Sequence, residues 1–253
     1  MDHDSYLRAV GLPEHADVTA DAARRGASLV ARPPHETVTL ETVEDRYVYP
    51  VPEIGEDGTC GVGLADDPYN LAPICGLEYD RESLRDHPNT ARLVALQTTI
   101  EALAEETDAD WLGVYRRATN PDGDEVLVKE AYAGEPSRAE FPLTEDFAER
   151  SNNSTVGLTG EAVLVDSVDD YDGPYYECDD SVASEFCCPV VAGDEVVGII
   201  DAEAHEPPSS RTSACSPSPV RARRSRTPVS SRRPESTPER TNFRHVSQFR
   251  QSV

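Results

Sequence analysis

The chain has 253 residues, enough for one or two domains, and a formal net charge of -25. Residues 1–205 hold 45 Asp and Glu against 13 Arg and Lys, whereas residues 206–253 hold 3 acids against 10 arginines. The acidic part excludes nucleic acid as its partner, because it would repel phosphate. In ordinary salt such self-repulsion loosens a compact state, and molar salt shortens the screening length to about 3 Å. The composition therefore points to a salt-rich cytoplasm, with an acidic mesophilic protein as the plainer alternative. No apolar run approaches the roughly 18 residues that cross a membrane. The start, Met-Asp-His-Asp-Ser, has neither the basic region nor the apolar core of a secretory signal. No two of the six cysteines form a C-x-x-C pair, so reduced thiols and no metal are expected.

In chain order, the first elements expected are a short helix near Tyr6–Gly11 and another over Asp17–Ala31, stopped before Pro33-Pro34. Val38–Leu40 and Tyr47–Val51 read as strands. Gly55–Leu71, rich in Gly and Asp, reads as loop; Gly58, Gly61 and Gly63 lack the following helix and Lys-Ser/Thr of a phosphate loop. Residues 1–87 form an N-terminal region with no assigned role. Asn89 can cap a helix to Thr107, whose Leu93, Leu96, Ile100 and Leu103 share one face. Trp111–Arg117 and Glu125–Ala133 then make a hairpin around the Asn120-Pro-Asp-Gly123 turn. Ala139–Leu143 is a third strand, Thr144–Glu149 a capped helical turn, and Ser151–Gly160 a loop. Ala162–Val165, Glu185–Val191 and Val196–Ala204 complete the strands, with a long polar connection over Asp166–Asp180 and a tight turn at Ala192-Gly193-Asp194. A helix followed by five or six mostly antiparallel strands is an α+β layout over residues 88–205.

Residues 206–253 differ in kind: Ser, Pro and Arg make up 28 of the 48. Nothing repeats at 3.6 or 2, and the burial that offsets chain entropy is missing, so this tail reads as disordered. It fits either an authentic basic tail that binds an acidic surface or a GC-rich gene read out of frame.

The last strand carries the chemistry. By the period of two, Val197, Ile199, Asp201 and Glu203 point one way, while Gly198, Ile200, Ala202 and Ala204 point the other and can pack under helices. Burying acids in line with an apolar face is costly without partners. Either Asp201 and Glu203 hold a ligand's ammonium, or the strand leaves the core at Ile200 and both are wet. Glu185 opens the preceding strand and either reaches the same pocket or is a solvated strand end. Cys187 and Cys188 point to opposite faces and read as buried inert thiols. Cys178 lies in the polar loop Asp172–Asp180, where packing does not call for cysteine. A loop thiol near a pocket is a candidate nucleophile, although its acidic neighbours raise its pKa.

The motifs Asp110-Trp-Leu-Gly-Val-Tyr115, Gly157-Leu-Thr-Gly160, Asp166 to Asp172-Gly173, Cys178-Asp179, Ser184-Glu185, Pro189-Val-Val and Val197-Gly-Ile-Ile-Asp-Ala-Glu203 resemble, in this order, GAF domains. Among these they are most similar to the free methionine-(R)-sulfoxide reductases. The resemblance implies an α+β fold with a central antiparallel sheet of five to six strands and flanking helices. It also implies that Cys178 attacks the sulfoxide, leaving methionine and a sulfenic acid. Glu185, Asp201 and Glu203 would fix the substrate ammonium and help protonate the leaving oxygen. Trp111 and Tyr115 would wall the pocket, or would simply be core. No cofactor is tightly bound in such a scheme, and an external thiol supplies the electrons.

The chain departs from the family where a Gly-x-Cys-Gly turn becomes Gly157-Leu-Thr-Gly160, without a thiol. The upstream cysteine position falls near Glu140 or Phe141. Resolution would then use Cys187, Cys188, Cys60, Cys75 or a small thiol. GAF domains also close with a C-terminal helix that the Ser/Pro/Arg tail cannot supply, which leaves part of the sheet's back face open and suggests a homodimer. The functional readings are thus a methionine sulfoxide reductase, a ligand-binding sensor of a signalling pathway, and a redox switch at Cys178.

Overall fold

The computed structural model describes residues 3–12, 38–55, 59–107, 109–173, 175 and 181–206. The helix expected at Asp17–Ala31, Gly58, Cys178 and all but the first residue of the basic tail lie outside them.

The chain opens with α1 (His3–Ala9), then α2 (Leu40–Tyr47) and four short strands, β1 (Val48–Tyr49), β2 (Pro52–Ile54), β3 (Cys60–Leu64) and β4 (Tyr69–Asn70). Two expectations fail here. Val38–Leu40 is not a strand. Thr39 caps α2, its hydroxyl accepting from Thr42 N while the Thr42 hydroxyl accepts from Thr39 N. The β-branched run hid this cap, and the buried Val43 and Tyr47, four apart, are the helical signal. Gly55–Leu71 is not all loop, because β2 pairs with β3 and β1 with β4, both antiparallel. A Cβ at Gly61 would stand 3.2 Å from the Glu53 carbonyl oxygen. The glycine that reads as loop in sequence lets the two strands approach.

A short helix, α3 (Arg81–Arg85), leads to α4 (Pro88–Thr107). Then come β5 (Trp111–Thr119), β6 (Glu125–Ala133), β7 (Glu140–Pro142), α5 (Glu145–Ala148), α6 (Asn152–Thr159), β8 (Val163–Val165), β9 (Ser184–Ala192) and β10 (Glu195–Ala204). Strands β5 to β10 form a six-stranded antiparallel sheet in the order β7-β6-β5-β10-β9-β8. The expected helix and strands from residue 88 onward are present, but the long helix starts at Pro88 with Asn89 N donating to His87 Nδ1, so Asn89 is not its cap, and Ser151–Gly160 is a helix and not a loop. Ser151 caps α6 by accepting from Ser154 N, and Gly160 at φ +73° ends it.

The sheet has two apolar faces. On one, Ile100 of α4 buries with Leu112 and Ala131, flanked by Leu96, Leu103, Ile200 and Ala202. Ile200 and Ala202 thus pack under a helix, as the period of two requires. Beside α4 the described residues form an apolar groove of about 600 Å3, lined by Leu103, Leu112, Leu164, Phe186, Cys188 and Ile200. Part of that back face is taken by the N-terminus. Val10 and Leu12 pack with Ala162 and Phe186, and the Tyr6 hydroxyl donates to Pro189 O at 2.6 Å. On the other face Trp111, Tyr115, Leu127, Phe141, Phe147, Val156, Cys187 and Ile199 cluster under α5 and α6. A third cluster joins Val43, Tyr47, Tyr49 and Leu71 to Leu93, Val126 and Val128, so residues 38–84 pack along the β6 side of the sheet.

Candidate ligand site

The β10 register sets the site. Glu203 stands between Trp111 of β5 and Glu185 of β9, and Asp201 between Gly113 and Cys187. Three acids therefore occupy adjacent positions on neighbouring strands. Trp111, Tyr115, Glu185, Asp201 and Glu203 line one cavity of about 70 Å3, together with Asn152, Asn153, Phe141 and the Glu135–Ser137 loop. All the site residues expected from the sequence other than Cys178 come together here. Glu185 and Asp201 are buried, at 6% and 2% exposure, and not wet strand ends, while Glu203 is half-buried.

Each buried acid has one amide partner from the first turn of α6. Asn152 Nδ2 donates to Glu185 Oε2 at 3.0 Å, and Asn153 Nδ2 donates to Asp201 Oδ2 at 3.0 Å. The Tyr171 hydroxyl donates to Asn152 Oδ1 at 3.1 Å and holds that amide in place. Asp201 Oδ1 is buried with no hydrogen-bond partner among the described residues. Burial pushes the Glu185 carboxyl up to about 7, against the pull of Asn152. Burial, then the nearby Glu185 and Glu203, push Asp201 well above the ordinary carboxylate range. Both carboxyls therefore hold their protons to higher pH than a solvated acid does.

The aromatic wall is fixed from outside the cavity. Trp111 Nε1 donates to Glu135 O at 3.1 Å, and its ring lies over Gly113, where a Cβ would stand 2.3 Å from Cη2. Tyr115 packs edge-on against Phe141 at 5.3 Å. At the mouth the His205 amide donates to Asp110 Oδ2 at 2.7 Å, with His205 Nδ1 3.8 Å from Asp110 Oδ1. Cys187 is fully buried on this side, and Cys188 lines the back groove; burial raises both thiols, Cys188 to about 11. Neither is an activated thiolate. Among the described residues no group of His, Cys, Asp and Glu is placed to hold a metal ion.

Sequence reasoning missed Asn152 and Asn153, because a helix of Asn, Ser, Thr and Gly carries little helical signal. Ser151, three residues before Ser154 and nine before Gly160, was the available clue.

A model of the GAF domain matches residues 92–216. No curated protein matches the chain. Similar solved structures include the free methionine-R-sulfoxide reductase of Neisseria meningitidis in complex with its substrate, 22% identical over 46% of this chain and 64% of that one, TM-score 0.39. The type II free methionine-R-sulfoxide reductase of Thermoplasma acidophilum is 26% identical over 44% and 72%, TM-score 0.38. The GAF domain of the Acinetobacter phosphoenolpyruvate-protein phosphotransferase is 15% identical over 46% and 66%, TM-score 0.37. The chain thus spans just under two-thirds of the Neisseria protein's length. No helix among the described residues is long and apolar enough to cross a membrane.

Proposed function

Residues 92–216 of this chain are a GAF domain, and from that premise we propose that its cavity binds a small molecule carrying a protonated amine. We further propose that it reduces free methionine-(R)-sulfoxide. The observation that carries the binding is Asp201 Oδ1, buried beside Glu185 and Glu203 with no hydrogen-bond partner among the described residues. An acceptor deprived of water and of protein donors is a place for a ligand's N–H. Trp111 and Tyr115 supply the apolar wall that a methylsulfinyl group needs.

In this reading Cys178 is the nucleophile. Its thiolate attacks the sulfoxide sulfur. The sulfoxide oxygen ends on Cys178 as a sulfenic acid, the substrate sulfur is reduced to the thioether, and a buried carboxylic acid of Glu185 or Asp201 delivers the proton the oxygen takes up. Two external thiols then return Cys178 to the thiol, giving one disulfide and one water. Gly157-Leu-Thr-Gly160 offers no thiol for an internal disulfide, which favours the external reductant. The same absence favours a second reading, a sensor that binds without turnover. The acidic surface fits a salt-rich cytoplasm, so the assay belongs in molar salt.

The test is consumption of L-methionine-(R)-sulfoxide with a dithiol in about 2 M KCl. Turnover that disappears in Cys178→Ser establishes the reductase. Saturable binding with no turnover establishes the sensor, and neither binding nor turnover removes both.

A further inference from the structure

Lys129 is the only lysine in the chain; every other basic side chain except histidine is arginine. It is fully buried in β6, where leaving an ammonium unsolvated is costly unless its donors are satisfied. Its Nζ donates to Ser137 O at 2.6 Å and to Ser137 Oγ at 2.9 Å. It lies 4.2 Å from the Tyr132 ring centroid and 5.3 Å from that of Tyr49, within cation–π range.

Lys129 does not line the cavity, but Ser137 does, with Glu135 and Pro136. This short loop between β6 and β7 is one wall of the site, and side-chain bonds from the sheet to three of its carbonyls fix it. These are Trp111 Nε1 to Glu135 O at 3.1 Å, Lys129 Nζ to Ser137 O, and the Tyr115 hydroxyl to Arg138 O at 3.3 Å. Two come from side chains that line the cavity; Lys129 supplies the third from behind. The β5–β6 register shifts between Val114 and Tyr115, so that Lys129 stands opposite Tyr115. Glu130, the residue passed over, pairs with Arg92 and Arg116. A regular ladder would move that alternation by one residue.

Tyr49 adds a link to the N-terminal region. Its hydroxyl donates to Lys129 O at 2.7 Å, and its ring packs 6.0 Å from Tyr132. A strand of the N-terminal region thereby covers the ammonium that holds the cavity wall.

We infer that Lys129 is a positioning residue for the cavity, fixing the 135–137 wall from beneath Tyr49 and Tyr132, and that the N-terminal region serves the site through Tyr49, which covers Lys129. The inference rests on the cavity being a ligand site, and its test separates the two.

The first arm uses the unaltered chain, grown with 13C,15N-lysine so that one residue reports. Saturation with L-methionine-(R)-sulfoxide, followed by the fluorescence of Trp111, the only tryptophan, should shift the Lys129 side-chain signals. An unmoved Lys129 at saturation overturns the inference. The second arm needs no ligand. In folded Lys129→Met, Trp111 should become about threefold more quenchable by acrylamide, as expected when a charge-assisted bond holding its wall is lost. Lys129→Arg should recover most of the protection, whereas a lysine that only filled space would show no such rescue. Lys129→Gln takes its place if the Met variant does not fold. Quenching within a factor of about 1.5 of the parent in the folded variant overturns the inference, even if the sulfoxide does not bind and the ligand reading has failed separately.

Discussion

Glu185 makes the site a proton-linked one. Its carboxyl, pushed up to about 7 by burial, keeps a proton that the unfolded chain releases near the ordinary value of 4.5. Between those two values the native state binds more protons, so the stability carried by this group falls as pH rises through the window and levels off above 7. An ammonium ligand reverses the preference, because it needs the carboxylate. Affinity for such a ligand should rise from pH 6 to 8, by up to about tenfold per unit for one displaced proton. Calorimetry in buffers of different ionisation enthalpy counts that proton directly. Glu185→Gln should flatten the profile, and an affinity already flat in the parent would remove Glu185 from the proton linkage. Gly113 acts at the same scale through space and not charge. Its missing Cβ leaves room for the Trp111 ring, so Gly113→Ala should swing the indole out and break its bond to Glu135 O. A cost of about 1–3 kcal/mol in unfolding free energy is expected, together with a red shift of Trp111 emission; an unmoved spectrum would mean the wall yields elsewhere.

At the scale of elements, α6 orients the acids that β9 and β10 deliver. Removing the amide in Asn153→Ala leaves Asp201 with no donor from α6, so the carboxyl should stay protonated to still higher pH. Ligand affinity should fall about tenfold or more at pH 7. Ser151→Ala, which deletes only the cap, should cost about 1 kcal/mol of stability and weaken binding by disordering both asparagines; thermal unfolding and titration of the two variants separate these effects. The strands were legible because Asp201 and Glu203 alternate with Ala202 and Ala204, a period that survives in any context. The helix α6 was not, since Asn, Ser and Thr gain their place from contacts such as Ser154 Oγ to Pro142 O, which no local pattern encodes. Strand β3 and the Thr39 cap were lost for related reasons, a glycine admitted for close approach and β-branched residues serving as caps. The five expected residues that line one cavity were read from the period of two and the order of motifs, and Cys178 from its polar loop and the same order of motifs.

For the whole molecule, two unbalanced features meet. Residues 1–205 carry 45 acids against 13 bases, and the ion pairs Arg81–Glu44, Arg85–Glu82 and Arg117–Glu125 are exposed enough to contribute little. Repulsion among the remaining acids is screened only when the Debye length falls to a few ångströms. Raising KCl from about 0.1 to 2 M should therefore raise the unfolding midpoint by roughly 5–10 °C or more, since about 1 kcal/mol moves a domain of this size by 2–4 °C. The apolar groove beside α4 should respond to the same change. Salt strengthens apolar association while weakening the charge repulsion that keeps two acidic chains apart. A homodimer closed over Leu103, Leu164 and Phe186 would thus form in high salt and dissociate in low salt. Sedimentation across that range distinguishes the cases, with Leu164→Asp as the control, since Leu164 is 42% exposed and tolerates a charge in the monomer. A chain that stays monomeric at 2 M KCl, or a dimer indifferent to Leu164→Asp, would leave that groove without a role in self-association.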